Sequence, residues 1–279
     1  MGWFSSKRIY LDYAAATPVL WPVRFEMAKY WSRNFYNPNA TYEEGLRVKK
    51  RVEEYRTKIA RILRVSSDSI IFTSGGTEAN VLAVRSVGSG KVMIEPDSHP
   101  SIFEAVHPTK SKQVILVSSP VPNNRLGRKI REERKSKNSK YPLLHIDASQ
   151  SAQYFNVGLE VLACDLLTLD SAKIYGPKGI GALVVRKGIE LDLAAQGTPP
   201  VPLIAGFAKA TELSLREDWQ KVTDVRDYLL EKLESLGGNI VGACGKDRLA
   251  NNIFVTFNGL NAEEVLYKLS EDGIYVSIG

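Results

Sequence analysis

Residues 169–185 read "LDSAKIYGPKGIGALVV" and set a single lysine, Lys173, between the apolar run "CDLLTL" (164–169) and a turn built from Gly176, Pro177, Gly179 and Gly181. A lysine at the end of a buried strand has two readings. In low-dielectric surroundings its pKa falls and the amine becomes a neutral nucleophile; alternatively, its long stem carries the charge out to water. Asp147, in "HIDASQSAQ" (145–153), also follows an apolar strand, and it is either the N-cap of a following helix or the partner of a ligand cation. A third stretch, "FTSGGTEAN" (72–80), reads strand, glycine turn, helix. Free backbone N–H groups, the positive helix end and the Thr77 hydroxyl make an anion cradle there, although ordinary α/β turns share the pattern.

The elements that must position these groups follow from periodicity. Residues 39–65 carry apolar side chains at helical spacing, with Thr41 and Glu44 set as a capping box. Short apolar runs at 69–73, 91–96, 113–119, 141–147, 164–170 and 179–185 read as buried strands, and residues 77–87 as a helix. That alternation predicts an α/β domain with a largely parallel sheet, in which ligands bind beyond the C-terminal strand ends. After Pro202 the pattern changes to one long helix or two (203–238), a strand (251–259), a short helix (261–273) and a last strand (274–279), an α+β arrangement. The expected division is an N-terminal segment, 1–15, packing with a small domain, a large domain, 16–202, and the small domain, 203–279.

The chain has 279 residues, 44% hydrophobic and 24% charged, with a net charge of +6. This is ordinary globular composition, and its basic cluster at 128–140 is interrupted by Glu132 and Glu133, which argues against a nucleic-acid role. No run of about 18 apolar residues is present, so no membrane span is expected. Two scattered cysteines, Cys164 and Cys244, give neither a disulfide framework nor a metal-ligand spacing, so no metal is expected and a cytoplasmic protein is.

Taken together, an anion cradle, a strand-end aspartate and a strand-end lysine on one sheet describe a site for pyridoxal 5'-phosphate (PLP). That cofactor needs an anion-binding helix end, a lysine for its aldehyde and a carboxylate to keep its ring nitrogen protonated. The sequence then resembles the class V aminotransferase-fold enzymes, closest to the cysteine desulfurases. The resemblance is carried by "YLDYAAATP" (10–18), "FTSGGTEAN" (72–80), "DSHPSI" (97–102), "NNRLG" (123–127), "HIDASQS" (145–151), "KIYGPKGIGAL" (173–183), "GTPPV" (197–201) and "NNIFVTFNG" (251–259).

The resemblance implies a fold type I, aspartate aminotransferase-like large domain with a mostly parallel sheet, and an incomplete α+β small domain. It implies Lys173 as the Schiff-base lysine, Asp147 at the pyridine nitrogen, and Gln150 and Asn123 near the ring hydroxyl. His99 is implied to stack on the ring and exchange protons, Gly76, Thr77 and Ser171 to hold phosphate, and Thr198 to reach a partner subunit's phosphate. L-Cysteine is the implied substrate, giving alanine and a persulfide for iron–sulfur cluster assembly. A homodimer is implied, with sulfur passing to an acceptor protein or to a thiol on a complementary C-terminal segment. The chain ends at Gly279, just before the loop that carries the family's catalytic cysteine, and neither Cys164 nor Cys244 matches that position. A PLP-binding aminotransferase- or lyase-like protein without desulfurase activity, and a non-catalytic scaffold, are the alternatives. Asp170 stands where the family has a phosphate-binding serine, and is expected to repel the phosphate unless it turns away or pairs with a cation.

Overall fold

The computed structural model describes residues 8–120, 129–132, 135–136, 139–192, 197–214 and 218–278. They fall into two compact units, Pro18–Arg216 on the one hand and Met1–Thr17 with Glu217–Gly279 on the other. In chain order the elements are β1 (Ile9–Tyr10), α1 (Trp21–Ala28), α2 (Glu43–Leu63), β2 (Ile70–Thr73), α3 (Gly76–Arg85), β3 (Lys91–Ile94), α4 (Pro100–Ala105) and β4 (Val114–Ser119). Then follow β5 (Leu143–Asp147), α5 (Leu159–Leu162), β6 (Leu166–Asp170), β7 (Gly181–Val185), α6 (Val201–Ser214), α7 (Gln220–Ser235), β8 (Asn239–Ile240), β9 (Val255–Thr256), α8 (Ala262–Glu271) and β10 (Ile274–Tyr275).

The larger unit is built on a six-stranded sheet among the described residues, ordered β2-β7-β6-β5-β4-β3. Strands β3 to β6 are parallel, and β7 runs antiparallel to both of its neighbours. The sheet is therefore mixed but mostly parallel, and five strands end at one common edge. Both faces are covered, as a parallel sheet requires. Leu144, Ile146, Leu167, Leu169, Ala182 and Val184 pack on one face with α1, α2 and α6. Leu143, Leu166, Leu183 and Val185 pack on the other, against Ala79, Ala83 and Ile102 of α3 and α4.

The long amphipathic segment forms α2, but not with the expected cap. The helix begins after Tyr42, whose backbone is extended, and no side chain caps it. Thr41 stands one residue too early for its hydroxyl to bond the N3 amide. The first turn is instead favoured by Glu43 and Glu44 beside the positive helix end. The segment 203–238 resolves into two helices, and α6 lies wholly in the larger unit. In the smaller unit β1 pairs in parallel with β10, Ile9 beside Ile274, and β8 pairs antiparallel with β9. Among the described residues no helix is long and apolar enough to cross a membrane.

A polar row crosses the face that α3 and α4 cover. His145 is fully buried, and its ring is held between the hydroxyls of Ser118 and Thr168, each at 2.9 Å. Burial drives the imidazole pKa well below 6.5, to about 4, against a smaller upward pull from Asp147. The ring is thus neutral in the fold and joins three parallel strands.

Cys164 lies at the other end of the sheet, before β6 begins. It is fully buried, and desolvation, aided by Asp165, pushes its thiol up to about 12. Cys244, in the smaller unit, is exposed.

Two measurements check these environments. Between pH 6.5 and 4 the unfolded chain takes up a proton that the folded His145 refuses, so stability falls as pH falls through that window, by roughly 3 kcal/mol at its acid end. Urea titrations at pH 7 and pH 4 should show this loss in the wild type and a smaller one in His145→Gln; equal losses would contradict a neutral buried ring. An aromatic disulfide reagent should react rapidly with one thiol in the native protein and with both of its cysteines in denaturant. Rapid native labelling of Cys164 would contradict its burial.

Candidate active site

Lys173 closes a short 3-10 turn, Ser171–Lys173, at the end of β6. The Asp170 carboxylate caps that turn, accepting from the Ala172 amide at 2.8 Å. The Ser171 carbonyl accepts from the amides of Ile174 and Gly176 at 3.2 and 2.9 Å, and the Ser171 amide donates to Ile180. Tyr175 takes a left-handed conformation with φ of 60°, which costs about 1 kcal/mol or more and persists only where the surroundings over-determine it. Gly176 is required by close approach, because a Cβ there would lie 2.1 Å from Ser171 Oγ. The lysine therefore projects, half-buried, from backbone fixed on both sides.

Asp147 ends the neighbouring strand, and the β5–β6 register sets it beside Thr168. Its two oxygens have different donors. The Ser149 amide donates to Oδ1 at 3.0 Å, and Asn80 of α3 donates through Nδ2 to Oδ2 at 2.8 Å. No helix follows; residues 149–155 form turns, so of the two sequence readings the N-cap does not apply. The Asn80 amide also reaches Ser101 Oγ at 3.2 Å, and Ser101 Oγ lies 2.7 Å from His99 Nδ1. The Ser101 amide donates to the same nitrogen at 3.2 Å. His99 thus caps α4 and accepts through Nδ1, so in its neutral form the proton sits on Nε2, and the ring is exposed. A continuous line of side chains runs from Asp147 through Asn80 and Ser101 to His99.

The glycine turn delivers α3 to the same sheet edge. Thr73 lies beside Gly181, which lies beside Asp170, so β2, β7 and β6 end in one row. The Gly76 amide at the helix start donates to Asp170 Oδ2 at 3.3 Å. A Cβ on Gly76 would stand 3.0 Å from Ser149 Oγ and 3.2 Å from that carboxylate oxygen, so glycine is what admits both groups. Asp170 has not turned away, and among the described residues no lysine or arginine pairs with it.

The structure joins Gly76 to Asp170 and Asp147 to His99 in two hydrogen-bonded groups, with Ser149 donating to Asp147 and lying beside Gly76. Thr77 and Gln150 are exposed on the same turns, and Thr198 is exposed ahead of α6. Ser171 is buried with its Oγ against Gly176, and Asn123 lies outside the described residues. Asn80, Ser101 and Ser149 lie inside the quoted stretches but gain no role from them, because each is a common polar residue within a helical or turn segment. What could reveal them is parity: Asn80 falls one helical turn past Gly76, on the same face.

The polar atoms fit PLP in all but one respect. Ser149 Oγ and Asn80 Oδ1 are buried without partners, and an orphaned buried oxygen of this kind marks a place for a ligand or water. An amine on a fixed turn, a carboxylate that accepts from two N–H donors and a helix N-terminus with a glycine-made recess suit its aldehyde, ring nitrogen and phosphate. The exception is Asp170, an anion beside the anion seat.

Residues 9–128, 111–195 and 190–279 match the aminotransferase class-V family. A cysteine desulfurase IscS of Dictyoglomus turgidum is 31% identical over 321 aligned positions, spanning 98% of this chain and 82% of that protein. A solved NifS-like protein has a TM-score of 0.87 at 26% identity, covering 98% of this chain and 88% of its own. The structure of SspA in complex with cysteine has a TM-score of 0.76 at 25% identity, covering 97% of this chain and 89% of its own. Because the matched stretches run from β1 to the last residue, the chain belongs to the class-V aminotransferase family, whose desulfurase members it resembles in sequence and in fold and whose cofactor is pyridoxal phosphate.

Proposed function

We propose that this chain is a PLP-dependent enzyme of the cysteine desulfurase type, acting on L-cysteine to release alanine while the sulfur passes to a thiolate as a persulfide. The observation that carries the reading is the convergence of Lys173, Asp147 and the start of α3 at one sheet edge. The likeness to cysteine desulfurases and to a protein solved with cysteine supports the substrate.

When bound, PLP supplies an electron sink for the bonds at the substrate's α-carbon. Lys173 would supply the amine that holds the aldehyde and a base for the substrate's α-proton. Asp147 accepts from two N–H donors, which fix the orientation of its carboxylate. It is the group that would hold the ring nitrogen's proton. His99 presents Nε2 outward, its Nδ1 engaged by Ser101, so one defined nitrogen exchanges protons. Gln150 and Asn123 would contact the ring hydroxyl, and Gly76, Thr77 and Ser171 the phosphate. Thr198 would reach the phosphate of a partner subunit in a homodimer.

Neither cysteine is placed to take the sulfur within the larger unit. Cys164 lies six residues before Asp170 along β6, about 20 Å at strand rise, and it is buried and protonated. In this reading the thiolate is that of a complementary segment or of a sulfur-acceptor protein, in the cytoplasm. The same placement favours a second reading, in which the chain performs transamination or elimination on an amino acid without transferring sulfur.

Lys173→Ala should fail to develop the yellow absorbance that wild type gives with PLP; an unchanged spectrum would reject the lysine assignment. Asp147→Asn should still fold and bind, but form alanine from L-cysteine, with dithiothreitol as sulfur acceptor, about 100-fold more slowly or worse. Undiminished turnover in that variant would remove Asp147 from the chemistry. Pyruvate or another keto acid in place of alanine would decide for the second reading.

A further inference from the structure

The start of α3 is already in contact with an anion of the chain's own. Asp170 Oδ2 accepts from the Gly76 amide at 3.3 Å, while Oδ1 is anchored by the Ala172 amide at 2.8 Å. The second bond caps the turn that carries Lys173, so the carboxylate cannot swing far from Gly76 without uncapping that turn. Beside it at the recess stands the Ser149 hydroxyl, buried and without a partner among the described residues. Glu78, on the first turn of α3, accepts from the Ser74 amide and adds a second negative charge to this end of the helix. Two of the backbone donors that a phosphate dianion would use are thus in the hands of carboxylates, and among the described residues no lysine or arginine is paired to Asp170.

We propose that Asp170 is a specificity-determining residue: an internal anion that competes with the cofactor's phosphate at the α3 N-terminus. The site then discriminates little between PLP and its phosphate-free analogue, pyridoxal. This rests on the reading that Lys173 receives the aldehyde. The physical case is charge count. A phosphoryl group carries nearly two negative charges near neutral pH, and setting it beside a half-buried carboxylate opposes the attraction of the helix end. Pyridoxal carries a neutral hydroxymethyl arm, meets no such opposition, and can donate a hydrogen bond from its hydroxyl to Asp170. Serine at this position would keep the cap on Ala172, since a hydroxyl accepts from the same amide. It would also return the Gly76 amide to the ligand.

The test measures equilibrium binding of PLP and of pyridoxal by visible absorbance, with wild type, Asp170→Ser and Asp170→Asn. Because pyridoxal in water closes largely into an internal hemiacetal, the reading is the change between proteins: in the variants PLP should gain at least about tenfold, or about 1.4 kcal/mol, relative to pyridoxal. Variants that gain nothing on PLP relative to pyridoxal would overturn the proposal. Should Asp170→Ser fail to fold, Asp170→Asn decides. Inorganic phosphate gives an arm independent of Lys173: it should raise the melting temperature of Asp170→Ser more than that of wild type. If no chain develops absorbance with either aldehyde, the Lys173 reading fails, while the phosphate arm still rules on Asp170; an equal rise in both proteins would overturn it.

Discussion

In the β2–β7–β6 row, Thr73, Gly181 and Asp170 stand side by side because β7 runs antiparallel between two strands of common direction. That register brings the start of α3 against the end of β6, so a backbone amide, a carboxylate and a lysine-bearing turn share one corner of the sheet. A slip of one residue in β6 would send Asp170 to the opposite face and Leu169 toward α3. The slip is resisted by the core: Leu167 and Leu169 pack among the residues of one face and Leu166 among those of the other. Burial thus fixes the chemistry indirectly, through parity.

The same parity puts Leu143, His145 and Asp147 of β5 and Leu166, Thr168 and Asp170 of β6 on the face toward α3. Moving along each strand, the side chains go from apolar, through a neutral hydrogen-bonded layer, to charged. The intermediate layer matters because a charge next to a hydrocarbon core is costly, whereas Ser118, His145 and Thr168 satisfy one another without ionising. The neutral imidazole lies below Asp147 and does not offset its charge; the Asn80 and Ser149 donors are the groups that meet the carboxylate.

Much of this could be read from residue order. The six apolar runs correspond to strands, the mostly parallel sheet follows from their alternation with helices, and Lys173, Asp147 and the glycine turn stand where strand ends place them. What escaped was of two kinds. The antiparallel sense of β7 is set by the tight Lys173–Ile180 connection, which returns the chain alongside β6; a pattern of apolar residues carries no direction. The side-chain line Asp147–Asn80–Ser101–His99 joins three separate segments, and nothing local distinguishes Asn80 from any helical asparagine. The capping box at Thr41 misled for a related reason: the motif was present, but the helix began one residue later.

Asp170 shows how a local rule and a site can pull against each other. As the residue before a 3-10 turn, an aspartate is a good cap, and Ala172 makes use of it. As a neighbour of the α3 N-terminus it stabilises that helix end in the same way that a bound anion would. Both effects favour the folded chain when no cofactor is bound, and both oppose a phosphate that arrives later. A chain with this aspartate therefore needs less from its cofactor to hold the Lys173 turn in shape. Its stability and its affinity for phosphate are coupled with opposite sign through one carboxylate, so a substitution that relieves the repulsion also removes part of what ordered the site in advance.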